Sequence, residues 1–146
     1  MNKLSLFLLL SFFVLSSFNG PEINTTNKVE AIFSETFKDV KNLQWYVNDN
    51  TYSARFTTKG VITSITYDKD GKFVRSSRAG NEDLLPVNIL TKIKEKYRGK
   101  IIKLVVEIAE GDELSYSLTI EDEVNCWLVE ATPSGNNKVL SKFRKQ

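Results

Sequence analysis

The stretch that decides the fold is ITYDKDGKFVRS, residues 65–76. Two β-branched and aromatic runs flank the turn residues Asp68, Lys69, Asp70 and Gly71. Asp68, Asp70 and Gly71 have the spacing that opens a calcium-binding loop, so two structures compete for these residues. A calcium loop would go on to supply a bidentate glutamate, but Arg75 and Arg78 follow instead. A hairpin needs only a residue free to adopt positive φ, and Gly71 is one. The hairpin is the expected structure, and no metal is expected here.

Reading outward, strand patterns continue on the N-terminal side. VITSITY (61–67), TYSARFT (51–57) and LQWYV (43–47) alternate in side-chain type and are separated by KG at 59–60 and DN at 49–50. With KFVRSS (72–77) they read as an antiparallel meander of four strands. Ahead of them, Val29, Ile32, Phe33 and Phe37 fall at helical intervals, with Val40 completing the stripe. Asn27 is the expected N-cap, with Glu30 three residues on as in a capping box.

The C-terminal half follows the same order. After RAGNEDLLP (78–86), Ile89, Leu90, Ile93 and Tyr97 form a helical stripe that Gly99 is placed to end. KIIKLVVEIAE (100–110), ELSYSLTIE (113–121), VNCWLVEAT (124–132) and KVLSKFRK (138–145) then read as strands. At an offset of 64, Tyr52 falls on Tyr116, Phe56 on Ile120, Ile65 on Val129 and Gly71 on Gly135. The helices match at an offset of 60, Val29 with Ile89, Phe33 with Ile93 and Phe37 with Tyr97, so one hairpin is expected to be four residues longer. The expected fold class is α+β, a tandem repeat of a helix plus a four-stranded antiparallel meander, with units at 28–80 and 85–143. The second turn keeps the glycine and loses both acids, which favours the hairpin again.

The first residues belong to a different part of the protein's life. MNKLSLFLLLSFFVLSSFNG has an early lysine, an apolar run at 4–15 and then small and polar residues. This is the pattern of a secretory signal, expected at 1–17 with cleavage after Ser16 or Ser17 and a linker at 18–27. The run is shorter than the roughly 20 residues of a membrane span. A periplasmic or secreted protein without stable membrane insertion is expected. Export permits disulfides, yet the chain has a single cysteine, Cys126, which cannot bridge internally. It is expected as a half-buried strand residue, the alternative being an intermolecular disulfide or a reactive thiol.

Composition excludes several activities. A net charge of +2 with interspersed signs gives no electrostatic case for nucleic acid. The sequence contains no histidine, so Ser-His-Asp and Cys-His nucleophiles are ruled out. There is no CxxC and no glycine-rich phosphate loop. The acids of EGDE (110–113) and EDE (121–123) sit at opposite ends of one strand, roughly 25 Å apart at ~3.3 Å per residue. A glycosidase needs its carboxylates within about 5 to 9 Å. No catalytic residue and no cofactor is expected.

The order of features resembles the PepSY-like, beta-lactamase-inhibitor-like proteins exported by Bacteroidota. The resemblance is carried by Trp45 in NLQW, Tyr52 and Phe56 in YSARFTTKG, Gly60, the Tyr67-Asp68-x-x-Gly71 turn, and Leu85-Pro86 before a helix ending in Tyr97. It covers residues 28–143. It implies a curved antiparallel sheet with both helices on one face, and an open face that grips another protein. The second unit departs from the first, lacking the turn acids and placing Trp127 where the first has Thr63.

Alternation along each strand then divides the side chains. Leu43, Trp45, Val47, Tyr52, Ala54, Phe56, Ile65 and Tyr67 are expected under the helices, with Ile102, Leu104, Val106, Leu114, Tyr116, Leu118, Ile120, Trp127 and Val129. The open face is expected to carry the binding residues Tyr46, Arg55, Ile62, Phe73, Arg75, Lys103 and Leu128, beside Cys126. Aromatic and arginine anchors among small polar neighbours suit a protein-binding surface. The expected function is a monomeric, non-catalytic exported module that captures or inhibits an exported or envelope protein, or a peptide. The alternative is a small-ligand or ion carrier using the groove between the repeats. An acid-based enzyme would rest on Asp68 and Asp70.

Overall fold

The computed structural model describes residues 27–145. Helix α1 (Asn27–Thr36) leads into β1 (Lys41–Asn48), β2 (Thr51–Thr58), β3 (Val61–Asp68) and β4 (Phe73–Gly80). A short 3-10 helix at Glu82–Leu84 and helix α2 (Val87–Lys96) precede β5 (Ile101–Glu110), β6 (Glu113–Glu121), β7 (Asn125–Ala131) and β8 (Asn137–Arg144). The eight strands form one open sheet in chain order, antiparallel throughout. The architecture is α+β. The expected signal segment at 1–17 and the linker up to residue 26 lie outside the described residues.

Both helices form where the apolar spacing is 3.6 residues. Asn27, expected as the cap of α1, is already its first residue. Val29 and Phe33 are its buried positions. For α2, Pro86 occupies the N-cap position without a side-chain cap, and its fixed φ suits a helix start. Gly99, at φ +76°, turns the chain out of the helix, and the Lys100 N–H donates to the Tyr97 carbonyl at 3.0 Å.

The sheet packs against α1 and α2 through two clusters. Val29 and Phe33 meet Ala54, Phe56, Ile65 and Tyr67. Ile89, Ile93 and Tyr97 meet Val105, Tyr116, Leu118, Ile120 and Val129. Residues paired across antiparallel strands share a face. The row Ala54, Ile65, Ser76, Ala109, Leu114 therefore runs from one cluster to the other on a single face. Both helices lie on that face. Each fully buried aliphatic side chain there contributes roughly 1.5–3 kcal/mol. The Tyr97 hydroxyl is buried without a hydrogen-bond partner, and burial raises its pKa.

The turn at 68–71 is a hairpin turn. The Asp68 carboxylate accepts from the Asp70 and Lys72 N–H groups, both at 2.9 Å, so it serves the turn's own backbone. The Gly71 N–H donates to the Asp68 carbonyl, and Gly71 has φ +79°. In the other half, the Gly135 N–H donates to the Thr132 carbonyl and the Thr132 N–H donates to the Asn136 carbonyl. The first turn has the same pair of bonds, with the Asp68 N–H on the Lys72 carbonyl.

Two bulges overturn part of the expected face assignment. In β4 the register steps from Thr66 opposite Arg75 to Tyr67 opposite Phe73. The extra residue puts Phe73 on the helix side with Tyr67, not on the uncovered face. In β5 it steps from Ile102 opposite Ile120 to Leu104 opposite Thr119, with Lys103 as the extra residue. Val105 becomes the core residue, while Leu104 and Val106 turn to the uncovered face. A strand has a side-chain period of two, so one inserted residue flips every position beyond it.

Candidate functional site

The helix-free face of the sheet is the surface on which the expected binding residues were placed. Cross-strand pairing arranges its side chains in rows. One row reads Tyr46, Ser53, Thr66, Arg75, Glu110. The next reads Gln44, Arg55, Ser64, Ser77, Ile108, Ser115. A third reads Thr57, Ile62, Ala79, Val106, Ser117, Glu130. The β-branched and small residues of β2 and β3 make these strands and also keep the floor of this face low.

Four of the expected residues share one region. Tyr46 and Arg75 stand at the two sides of Ser53 and Thr66, about 14 Å apart at ~4.8 Å per strand. The Ser53 and Thr66 hydroxyls bond each other at 2.8 Å. The Tyr46 hydroxyl donates to Gln44 Oε1 at 2.9 Å, which holds its ring over β1. Arg55 and Ile62 complete the group, and all four are exposed. Arg55 and Arg75 take part in none of the ion pairs among the described residues. Their guanidinium forks are free to take a carboxylate in bidentate fashion.

The remaining three are dispersed. Leu128 shares the face but lies on β7, in a row with Leu104, Thr119 and Ser141. Lys103 sits at the β5 bulge with its Nζ 3.5 Å from a Glu121 oxygen. Glu121 also accepts from Lys145 at 3.0 Å, and this bond leads the causes that hold its pKa below the usual carboxylate range. Phe73 lies on the other side of the sheet.

The uncovered face also holds residues that alternation had assigned to the core or left out. Leu104, Val106 and Ile108 form an apolar band along β5, and Phe143 of β8 stands beside Cys126 of β7. Leu104 and Phe143 are exposed. The sequence KLVVEIA is apolar at both parities, so only a signal for the bulge at Lys103 could have placed this band, and none is present. Cys126 is half-buried and unpaired.

The helix side holds a concavity of its own. Between α1 and the Glu82–Leu84 helix, β3 and β4 floor a groove of about 1030 Å³ lined by Phe37, Phe56, Tyr67, Phe73 and Arg78 among others. Arg78 Nη1 donates to Glu107 Oε1 at 3.0 Å across the β4–β5 junction. Burial raises the Tyr67 pKa. Farther along the sheet, Lys100 and Lys142 place their ammonium groups 4.2 and 5.2 Å from the Trp127 ring centre. Among the described residues no three His, Cys, Asp or Glu side chains come together as metal ligands. No helix among them is long and apolar enough to cross a membrane.

Comparison with known proteins finds the same fold in solved structures. A BLIP-like protein from Bacteroides fragilis superposes with a TM-score of 0.64 at 15% identity, covering 85% of this chain and 89% of that one. A DUF2874 family protein from Bacteroides ovatus matches with a TM-score of 0.61 at 16% identity, covering 82% and 86%. Another from Bacteroides uniformis has the same TM-score at 14% identity, covering 82% and 89%. The likeness is one of fold. No family model matches the chain, and no curated protein matches it in sequence.

Proposed function

We propose that this chain is an exported binding module of the BLIP-like type, without catalytic chemistry, that captures or inhibits another exported or envelope protein on its helix-free sheet face. The observation that carries the reading is the face itself. Unpaired Arg55 and Arg75 flank a floor of small hydroxyl residues, next to the apolar band of Leu104, Val106 and Ile108. Apolar contact area beside free arginine donors fits a partner that presents an acidic side chain among apolar ones.

Two further expectations belong to the same reading. The halves 28–80 and 85–143 are copies of one unit, which the matching hydrogen bonds of the turns at Gly71 and Gly135 support. The leader pattern at 1–17 supports an exported, periplasmic location.

The test is recovery of the tagged mature chain, crosslinked, from the periplasm of its host, with mass spectrometry of what accompanies it. Tyr46→Ala, Arg55→Ala and Arg75→Ala are combined in one variant, and Phe73→Ala, on the opposite side, serves as control. A protein enriched with wild type and with Phe73→Ala but lost with the triple variant supports the reading. Equal enrichment with the triple variant overturns it.

A further inference from the structure

The helix-side groove is separate from the face used above, and its two ends differ chemically. Along β3 and β4, one end is formed by Tyr67 and its cross-strand partner Phe73, closed off by Ile32 of α1. Moving four residues along β3 reaches Thr63, which pairs with Arg78, and the β2–β3 turn beyond it brings Lys59. The apolar end and Arg78 are therefore about 13 Å apart at ~3.3 Å per residue.

The charged groups of the cationic end are not balanced in their bonding. Arg78 contributes one contact to Glu107, and its side chain is 46% exposed against 19% for Glu107. Glu107 thus lies deeper, and the other N–H donors of the guanidinium remain available. Lys59 makes none of the ion pairs among the described residues. The rim also carries the acid Asp83, which accepts from Asn81 Nδ2 at 3.0 Å and keeps its negative charge, so it is Lys59 and the remaining Arg78 donors that can meet an anion. Free donors of positive charge at one end and an aromatic wall at the other complement a molecule with an anionic head and an apolar tail. The volume of about 1030 Å³ accommodates a small molecule of that kind.

We infer that this groove is a binding site for a small amphiphilic monoanion, a carboxylate on an apolar tail. The head takes Arg78 and Lys59, and the tail lies along Ile65 to Tyr67 and Phe73. Water leaves the aromatic wall when the tail enters, which supplies the apolar part of the affinity. The site makes no use of Arg55 or Arg75, so it stands or falls apart from the capture function.

The test is calorimetric titration of the full mature chain with dodecanoate below its micellar concentration, paired with thermal unfolding. Dodecyltrimethylammonium, with the same tail and the opposite charge, is the second probe. Saturable binding of dodecanoate, a rise in Tm that grows with its concentration, and much weaker binding of the cation are expected. Arg78→Gln should weaken dodecanoate at least about tenfold, the loss expected for a charged hydrogen bond. Lys59→Gln, in an exposed turn, repeats the test where the Arg78 change disturbs the sheet. Phe73→Asp should abolish binding, and Arg55→Ala should leave it unchanged. Equal binding of both probes, binding untouched by the Arg78, Lys59 and Phe73 variants, or a flat thermal response overturns the assignment. So does a dimer in sedimentation that Phe73→Asp dissolves, because a second copy would then be the occupant.

Discussion

The core under α1 is centred on a group of rings and the core under α2 on branched aliphatics. Phe33 stacks at 5.2 Å from Phe37, 5.3 Å from Trp45 and 5.2 Å from Phe56, mostly edge to face. Under α2, Ile89, Ile93, Val105, Leu118, Ile120 and Val129 are all completely buried. Ring pairs have preferred geometries that are worth about 0.5–1.5 kcal/mol beyond their area. Branched aliphatics interdigitate and close the space. The larger groove lies beside the ring core, and beside the aliphatic core a smaller one of about 370 Å³ is lined by Ile93, Tyr97 and Ile102. Where the two halves pack differently, the ring-built one leaves the larger space.

The turns of the two halves make the same point on a smaller scale. Between β2 and β3 the chain reverses through Lys59 and Gly60, both at positive φ. Between β6 and β7 the reversal relies on Asp122 instead. Its carboxylate accepts from the Val124 and Asn125 N–H groups at 2.9 and 2.8 Å and from Lys100 at 3.0 Å. The chain is thus reversed by backbone freedom in one connection and with a side-chain acceptor in the other.

The largest test of this contrast is truncation in each core. Phe33→Ala should cost about 3–5 kcal/mol and Ile93→Ala about 2–5 kcal/mol, measured by urea unfolding. The β4–β5 ladder, from Arg75 opposite Glu110 to Gly80 opposite Val105, ties the halves together. One cooperative transition is therefore expected in both variants. A separate early transition in Phe33→Ala alone would show that the ring core unfolds by itself.

A smaller effect separates the two turn glycines. Alanine at either position meets a φ near +80°, a cost of roughly 1–2 kcal/mol. A Cβ at Gly71 would also press on the Ile32 Cδ1 of the α1 core face, whereas at Gly135 it would come within 2.7 Å of Lys92 Cδ. Lys92 can swing aside, giving up only its bond to the Ser134 carbonyl. Gly71→Ala should therefore lower Tm more than Gly135→Ala. The reverse order would mean that Ile32 has room to move.

The smallest effect is the acid dependence of the Asp122 turn. Backbone N–H donation from Asn125, then Lys100 and Val124, holds the Asp122 pKa below the ordinary carboxylate range. Its folded pKa is below its unfolded one, so its stabilisation is full above about pH 5 and fades as pH falls through ~3.9 and below. Asp122→Asn should be less stable than wild type at pH 7, with the gap in Tm narrowing by pH 3. Lys59→Gln, in the turn that uses no carboxylate, should show a gap that does not change with pH. A constant gap for Asp122→Asn would remove the side chain from the account of that turn.

Much of this architecture is legible in the chain. Val29, Phe33, Ile89 and Ile93 announce both helices through their spacing, and the alternation in TYSARFT and ELSYSLTIE announces the strands and their buried sides. The DKDG turn could be read as a hairpin from its glycine and from the residues that fail to continue a calcium loop. Tyr46, Arg55 and Ile62 share the helix-free face as alternation expects, because β1, β2 and β3 alternate without interruption over those residues, and Arg75 joins them because it lies on the near side of the β4 bulge, opposite Thr66. Phe73, Leu104 and Val106 were misplaced. Each follows or precedes a bulge between residues that are apolar at both parities, where periodicity carries no information about face.

The sequence by itself determined the elements, their order and most of the buried set, since helix and strand periods act over a few neighbouring residues. Tertiary structure alone decided which face β5 presents, that Phe73 belongs with Tyr67 and Arg78, and that a groove opens beside the ring core. Those outcomes depend on strand register and on how side chains from distant segments fill the space between helix and sheet. Register is a balance of pairings across strands, and a single extra residue reverses it without leaving any mark in the local pattern.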